Sequence, residues 1–378
     1  MKNYLHLLLF SFIFLFTSCK KEVQKEIKKS AINTSIKLAQ GFEIEEFKDY
    51  KKLIIKAPYK DSKIQYEYTL VSSTTDLSKF TETDKIIQIP IEKIVVTSTT
   101  HIPMLELLGV EEALIGFPST KYVSSKKTRK LIDDGNIREL GMDSNLNTEV
   151  LIDIEPDLVV GFSVSGTNKS LSTVEKSGIP VIYNGDWLEE TPLGRVEWIR
   201  FFGVLFDKEQ KADSIFNSIQ NQYNEAKKLA LKTTNKPTVL SGALFKDVWN
   251  LPAGESFVAQ FLNDANTDYL WLETKGKGSL QLSFESILDK AQNADLWLAP
   301  GYFSTKEQMN QSSKHYKQFS AFNKNALYTF ANNKGETGGV LYYELAPTRP
   351  DLVLKDIIKI AHPNLLVNYE LTFFEKMN

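Results

Sequence analysis

Thr148-Glu149-Val150-Leu151-Ile152-Asp153-Ile154-Glu155-Pro156-Asp157-Leu158-Val159-Val160 reads as a glutamate opening a short amphipathic helix, then an Asp leading into an apolar strand. Later, Phe284-Glu285-Ser286-Ile287-Leu288-Asp289-Lys290-Ala291-Gln292-Asn293-Ala294-Asp295-Leu296-Trp297-Leu298 repeats that order, its glutamate 136 positions after the first. One such unit is ordinary α/β grammar. A second, with the glutamate in the same place, predicts two lobes built alike.

The segments around each unit extend the pattern. Lys93–Ser98 is a buried strand, 103–109 a short helix with Pro in its first turn and Gly at its end, and 114–117 the next strand. Leu158–Gly161 and Ile179–Tyr183 follow, with a helical stretch around 171–176 between them. This alternation predicts a largely parallel sheet with helices on both faces. A second block starts at Thr238-Val239-Leu240, with helices near 256–262 and 283–289 and strands at 295–299 and 326–330. It closes with a helix from Pro350 through Ile360. Between the blocks lie two helices with no strand. Thr191-Pro192 opens the first as N-cap and first helical residue. The second starts at Asp207 and puts Ala212, Ile215, Phe216, Ile219, Tyr223 and Ala226 on one face. Running to Leu229, it spans roughly 30 Å and reads as a strut joining the lobes, or else as a core helix of one larger domain.

Ahead of the lobes, 42–47, 52–56 and 64–71 read as strands, the last alternating over a half-buried period. They predict a β-rich N-terminal extension over residues 36–92. The expected lobes are 93–190 and 237–378, joined by linking helices at 191–236. Residues 1–18 read as a signal peptide: Lys2, an apolar run over 5–16, then Thr17-Ser18 before Cys19. That run is too short to span a bilayer as a helix. Cys19 is the only cysteine of the 378 residues, so no intramolecular disulfide and no CxxC site forms. Residues 19–35, rich in Lys, Glu, Ser and Asn, read as a solvated tether.

Net charge is −2, with 24% charged residues of both signs, which gives nucleic acid no basic footprint to bind. There is no GxSxG, P-loop or HExxH, so the sequence offers no reason to expect an enzyme. Loops at the C-terminal ends of parallel strands are the expected ligand site in open α/β folds. Here they carry Thr99 and His101 in the first block, and Trp249, Tyr302 and Tyr342 in the second. Aromatics, amides and hydroxyls in such loops suit a large, partly apolar ligand held by stacking and a few hydrogen bonds. Each aromatic has core packing as its alternative role. His101, His315 and a carboxylate converging across a cleft would make a free metal-ion binder.

Lys93–Ser98, Thr148–Leu151 with Glu155–Val160, Gly178–Val181, Gly254-Glu255-Ser256, Ser283-Phe284-Glu285 and Arg349–Val353 together carry a resemblance. In order and spacing the chain resembles the substrate-binding proteins of bacterial ABC importers for iron–siderophore complexes, haem and vitamin B12. The resemblance implies two Rossmann-like α/β lobes joined by a long rigid helix, with the ligand between them. Thr17-Ser18 before Cys19 resembles the bacterial lipobox, whose cysteine is acylated, with a chance cysteine in an ordinary signal peptide as the alternative. The chain so reads as a monomeric lipoprotein, periplasmic or at the cell surface. The family resemblance implies that its ligand is an iron complex, a ferric siderophore first, cobalamin or haem otherwise. It also implies that Glu149 and Glu285 dock onto arginines of a permease dimer, at solvent-facing helix starts away from the strand ends. Their other role would be stabilising their own helix N-termini. Tryptophans common in the family's cleft are replaced here by Met142-Asp143 and Ser279-Leu280, a departure that counts against a corrin ligand.

Overall fold

The computed structural model describes residues 32–34, 36–81, 85–164, 166 and 168–378, with only the backbone described for 32–34. The segments read as signal peptide and tether, Cys19 included, lie outside the described residues except for 32–34. No described helix is long and apolar enough to cross a membrane.

The fold is α/β, with two lobes and a β extension. The first lobe is a five-stranded parallel sheet ordered Val181–Tyr183, Leu158–Gly161, Ile94–Val96, Leu114–Phe117, Arg138–Glu139. The second is ordered Asp268–Tyr269, Thr238–Ser241, Leu296–Leu298, Leu327–Thr329, Glu375–Lys376, parallel except for the last strand. The lobes are therefore related but not identical. Numbered within each lobe, the first has order 3-2-1-4-5 and the second 2-1-3-4-5. What the repeated helix–strand unit marks is the strand just across the switch point from strand 1 in each.

The strut is Glu209–Ala230, 22 residues, roughly 33 Å long at the α-helical rise. Its first half buries Ala212, Phe216 and Ile219 in the core of the first lobe. Its second half buries Tyr223, Ala226 and Ala230 in the core of the second. Before it stand two short helices, Pro192–Glu197 and Ile199–Leu205. Thr191 caps the first, its hydroxyl accepting from Gly194 N at 2.9 Å.

The extension is a five-stranded sheet: Ile32–Thr34, Phe42–Glu46, Lys51–Ile55, Tyr66–Ser72, Ile86–Ile89. Its first strand reaches into the segment read as tether, and its last pair is parallel. The sheet is not an appendage. Phe42, Leu53 and Leu70 share one core with Trp198, Phe201 and Phe202 of the linking helices and with Ile94 and Val96 of the first lobe. Two buried glutamates of the linking region fasten the chain leading into this sheet. Glu197 accepts the N–H groups of Lys37, Leu38 and Ala39, and Glu189 accepts those of Gln40 and Gly41.

Candidate functional site

The switch points of the two sheets face each other, and a cavity of about 1050 Å³ opens there. Its walls are mostly second-lobe: 241–245 after strand 1, 298–303 after strand 3, the helix face 257–262, and Tyr342-Tyr343. Thr99 and Thr100 come from the first lobe, and Pro192 and Arg195 from the linking helix. The lining is overwhelmingly apolar. Such a site holds ligand by contact area and orients it by few polar groups.

Of the five residues expected at the ligand, the structure brings Thr99, Tyr302 and Tyr342 together on this cavity. Tyr302 is exposed at the rim, its ring centroid 6.0 Å from that of Tyr343. Tyr342 is half-buried and stacks on Phe330 at 4.3 Å; burial pushes its phenol up to about 12, so it stays a neutral donor and acceptor.

His101 and Trp249 are corrections. The first-lobe helix runs His101–Leu108, starting two residues before Pro103, which turns His101 inward with Leu105 and Leu108. The imidazole is fully buried, 5.4 Å from the ring of Phe202. Burial pulls its pKa down against the opposing effect of Asp186, which keeps it neutral. Trp249 lies not in a loop but in a strand, Val248–Pro252, paired with Ala243–Phe245 and Ser279–Leu282. Its alternation turns Trp249 and Leu251 into the core, where the indole stacks on Trp297 at 5.3 Å and donates to Ser241 O at 3.0 Å. His315 is exposed against Phe284, far from His101 in role and burial. Among the described residues no three His, Cys, Asp or Glu side chains gather to hold a metal ion.

Sequence reasoning passed over Arg195. Its Nε donates to Asp186 O at 3.3 Å and its guanidinium carbon lies 4.5 Å from the Phe257 ring centroid. Burial lowers its pKa, while Asp186, Tyr342 and Glu189 pull the other way and keep it charged. It is the cation of an otherwise apolar cavity. A signal was present: Pro192–Glu197 carries an Arg and a Glu although most of its residues are buried, which a helix does only where those charges have partners.

The lobes also touch beside the cavity. Glu344 accepts from Ser124 N at 2.6 Å and Ser125 N at 2.8 Å across the lobe boundary. Gly335 approaches so closely that a Cβ there would meet Ser124 Cα at 2.6 Å. On the other side Lys277 pairs with Glu190.

Glu149 and Glu285 are exposed, each the second residue of its helix, Thr148–Asp153 and Phe284–Ala291. Asn147 and Ser283 cap these helices through Val150 N and Ser286 N. Backbone N–H and the Ser283 hydroxyl hold Glu285 below the usual carboxylate range. Their placement differs from expectation. Asn147 N bonds Leu140 O just beyond the strand Arg138–Glu139, and Leu282 pairs beside Trp249 in the arm that continues Thr238–Ser241. Each glutamate therefore stands near strand C-terminal ends, on the cleft side. A helix connected to the next parallel strand by a short loop must start there, because it runs back antiparallel to the sheet.

A family profile described as periplasmic binding protein matches residues 94–332. An uncharacterized lipoprotein of Methanocaldococcus jannaschii is 25% identical over 305 residues, 78% of this chain and 70% of that protein. Among solved structures, a possible iron-binding periplasmic solute-binding protein of Staphylococcus epidermidis has TM-score 0.58 at 19% identity. It covers 72% of this chain and 100% of its own. A periplasmic haem-binding protein of Pseudomonas aeruginosa has TM-score 0.55 at 16% identity, covering 72% and 94%.

Proposed function

The chain belongs to the periplasmic binding protein family, and from that premise we propose that it is a lipid-anchored extracytoplasmic carrier that captures an iron complex and passes it to an ABC importer. The observation that carries the reading is the cavity at the facing switch points, whose 1050 Å³ exceeds what a bare ion or an amino acid needs. Apolar walls with one guanidinium and tyrosine hydroxyls fit a ferric siderophore, whose chelated metal is wrapped in an organic shell with outward oxygens. Arg195 would donate to those oxygens, as guanidinium groups do to planar oxygen pairs. The apolar character of the walls favours haem as a second reading.

Titration decides between them. The full chain in lipid nanodiscs is titrated with a ferric siderophore, haemin, cobalamin and Zn²⁺, with Trp fluorescence as readout. Saturable quenching by a ferric chelate is the expected result. A response to Zn²⁺ alone would discard the chelate reading.

Transfer to a permease dimer rests on Glu149 and Glu285. Two exposed carboxylates, each in the first turn of the helix that leads into the strand beside strand 1 of its lobe, suit one docking contact per permease half. The double change Glu149→Gln plus Glu285→Gln should leave chelate affinity near wild type and cut uptake sharply. Helix capping alone would give normal uptake and a modest loss of stability. Anchoring rests on Cys19 after its apolar leader, and on relatives named as lipoproteins. Mass spectrometry of the N-terminal peptide tests it, and an unmodified Cys19 would remove the anchor.

A further inference from the structure

A second, smaller chamber of about 370 Å³ adjoins the large one, sharing Thr99 and Tyr343 with it. It lies between the lobes, and its polarity is opposite. Where the large chamber has a guanidinium, this one has two carboxylates, Asp143 from the first lobe and Glu344 from the second. Asp143 occupies one of the places where the resemblance led us to look for a tryptophan.

Among the described residues, neither carboxylate has a cationic partner. Glu344 is 2% exposed, its two oxygens each take one backbone N–H, and its ionisable neighbour is another acid, Glu106. Desolvation pushes it up to about 7, against those two hydrogen bonds. Asp143 is raised too, again by burial, with only a hydroxyl bond from Thr97 opposing, and its Oδ1 is buried without a partner. The ammonium of Lys121 rests 5.1 Å from the Tyr122 ring centroid, but that lysine is exposed and does not line the chamber.

The remaining walls sharpen the point. Phe117, Phe162, Tyr122 and Tyr343 present aromatic surface to the same small volume. Uncompensated carboxylates within aromatic walls are suited to an organic ammonium, which gains Coulomb attraction from the acids and quadrupole attraction from the rings. A polyanionic chelate would meet repulsion in the same place.

We propose that this chamber is a subsite for an ammonium-bearing arm of the ligand, whose chelate core fills the larger chamber beside Arg195. The inference rests on the reading of the protein as a carrier of metal chelates and narrows it, favouring ferric hydroxamates with a free amine over ferric tris-catecholates.

The test compares three chelates on the full chain in nanodiscs: ferric desferrioxamine B, with its free ammonium; its N-acetylated form, with the same core and no charge; and a trianionic ferric tris-catecholate. Wild type should bind the ammonium form about tenfold tighter than the acetylated one, the scale of one desolvated cation–π and ion contact. The tris-catecholate should be weakest. Asp143→Asn should shrink the ammonium preference to about twofold or less, with the ratio as readout and the thermal midpoint as a check on folding. Equal affinity of wild type for the two hydroxamate forms, or preference for the tris-catecholate, would overturn the ammonium subsite and leave the carrier reading standing. Binding of no chelate would overturn both.

Discussion

Replacing Trp249 distinguishes a wall of the cleft from a pillar of the core. The indole is fully buried against Trp297, Tyr316 and Phe319, with ring centroids 5.3, 5.8 and 5.5 Å away. Truncating such a side chain to Ala costs about 3–5 kcal/mol in transfer free energy and residual cavity. The Ser241 carbonyl, which accepts its Nε1–H at 3.0 Å, would lose that partner, adding about 1–3 kcal/mol where water cannot replace it. The total, roughly 4–8 kcal/mol, approaches the whole stability of many domains. Trp249→Ala should therefore unfold at much lower urea or fail to accumulate. Trp249→Phe keeps a ring in the stack and should lose about 1–3 kcal/mol, mostly the hydrogen bond. Urea midpoints by far-UV circular dichroism, without ligand, measure both. If Trp249→Ala lost less than about 1 kcal/mol while chelate affinity fell, the indole would belong to the cleft and the strand packing described above would be wrong.

Two further outcomes concern the lobe boundary. Glu344 is raised to about 7 in the folded protein, from about 4.3 when unfolded. The folded state therefore holds that proton more tightly. Its stabilising contribution is full below about pH 4.3 and is lost as pH rises through about 7, a change on the order of 4 kcal/mol. Glu344→Gln should remove this component, so the wild-type minus variant difference in urea midpoints should slope across that window; parallel curves would reject it. A Cβ at Gly339 would overlap Tyr122 O and lie 2.8 Å from Ser124 Oγ, whereas one at Gly278 meets nothing within 4 Å. Gly339→Ala should thus lengthen spin-label distances between the lobes and Gly278→Ala should not; identical distances would show that the contact does not hold the lobes together.

The elements that were legible in the sequence are those set by short-range pattern. The repeated Glu-helix-Asp-strand unit, the Thr191-Pro192 cap and the apolar face of the strut depend on residues a few positions apart, and each appears in the structure. The strand orders did not, because pairing of Asp268–Tyr269 beside Thr238–Ser241 is a non-local choice. The two misplaced site residues had a readable warning. In Val248-Trp249-Asn250-Leu251 the alternation already puts Trp249 with Leu251, and His101, Leu105 and Leu108 lie at helical spacing. Arg195, Glu189, Glu197 and Glu344 had less local signature, since what makes them matter is a partner far along the chain. For Glu344 that partner is 220 positions away.

Those distant contacts locate where motion can occur. The strut is committed to both cores, through Phe216 and Ile219 on one side and Tyr223 and Ala226 on the other. A hinge inside it would expose apolar surface at about 25 cal/mol per Å², so wide opening is opposed. Glu189 and Glu197 pin residues 37–41 to the same linking region, and Ile199–Leu205 is packed between the extension and the first lobe. Residues 37–41 therefore enter the extension against the linking helices. The extension, first lobe and start of the strut share one core. Among the described residues, the contacts between the lobes at the cleft include two backbone hydrogen bonds to one buried carboxylate, the Thr337 hydroxyl donating to Val123 O at 3.5 Å, a glycine-rich approach, packing of His101–Leu108 against Leu341–Leu345, and the Glu190–Lys277 pair. Relative motion of the lobes is thus least opposed at the contacts around Tyr122–Ser125, with the strut allowing only slight bending. The parting edge adjoins Glu139, which accepts from Ser119 N and Thr120 N at 2.9 Å each. It also adjoins the turn leading to the helix of Glu149, so the surface proposed for docking and this inter-lobe contact belong to one continuous piece of the first lobe.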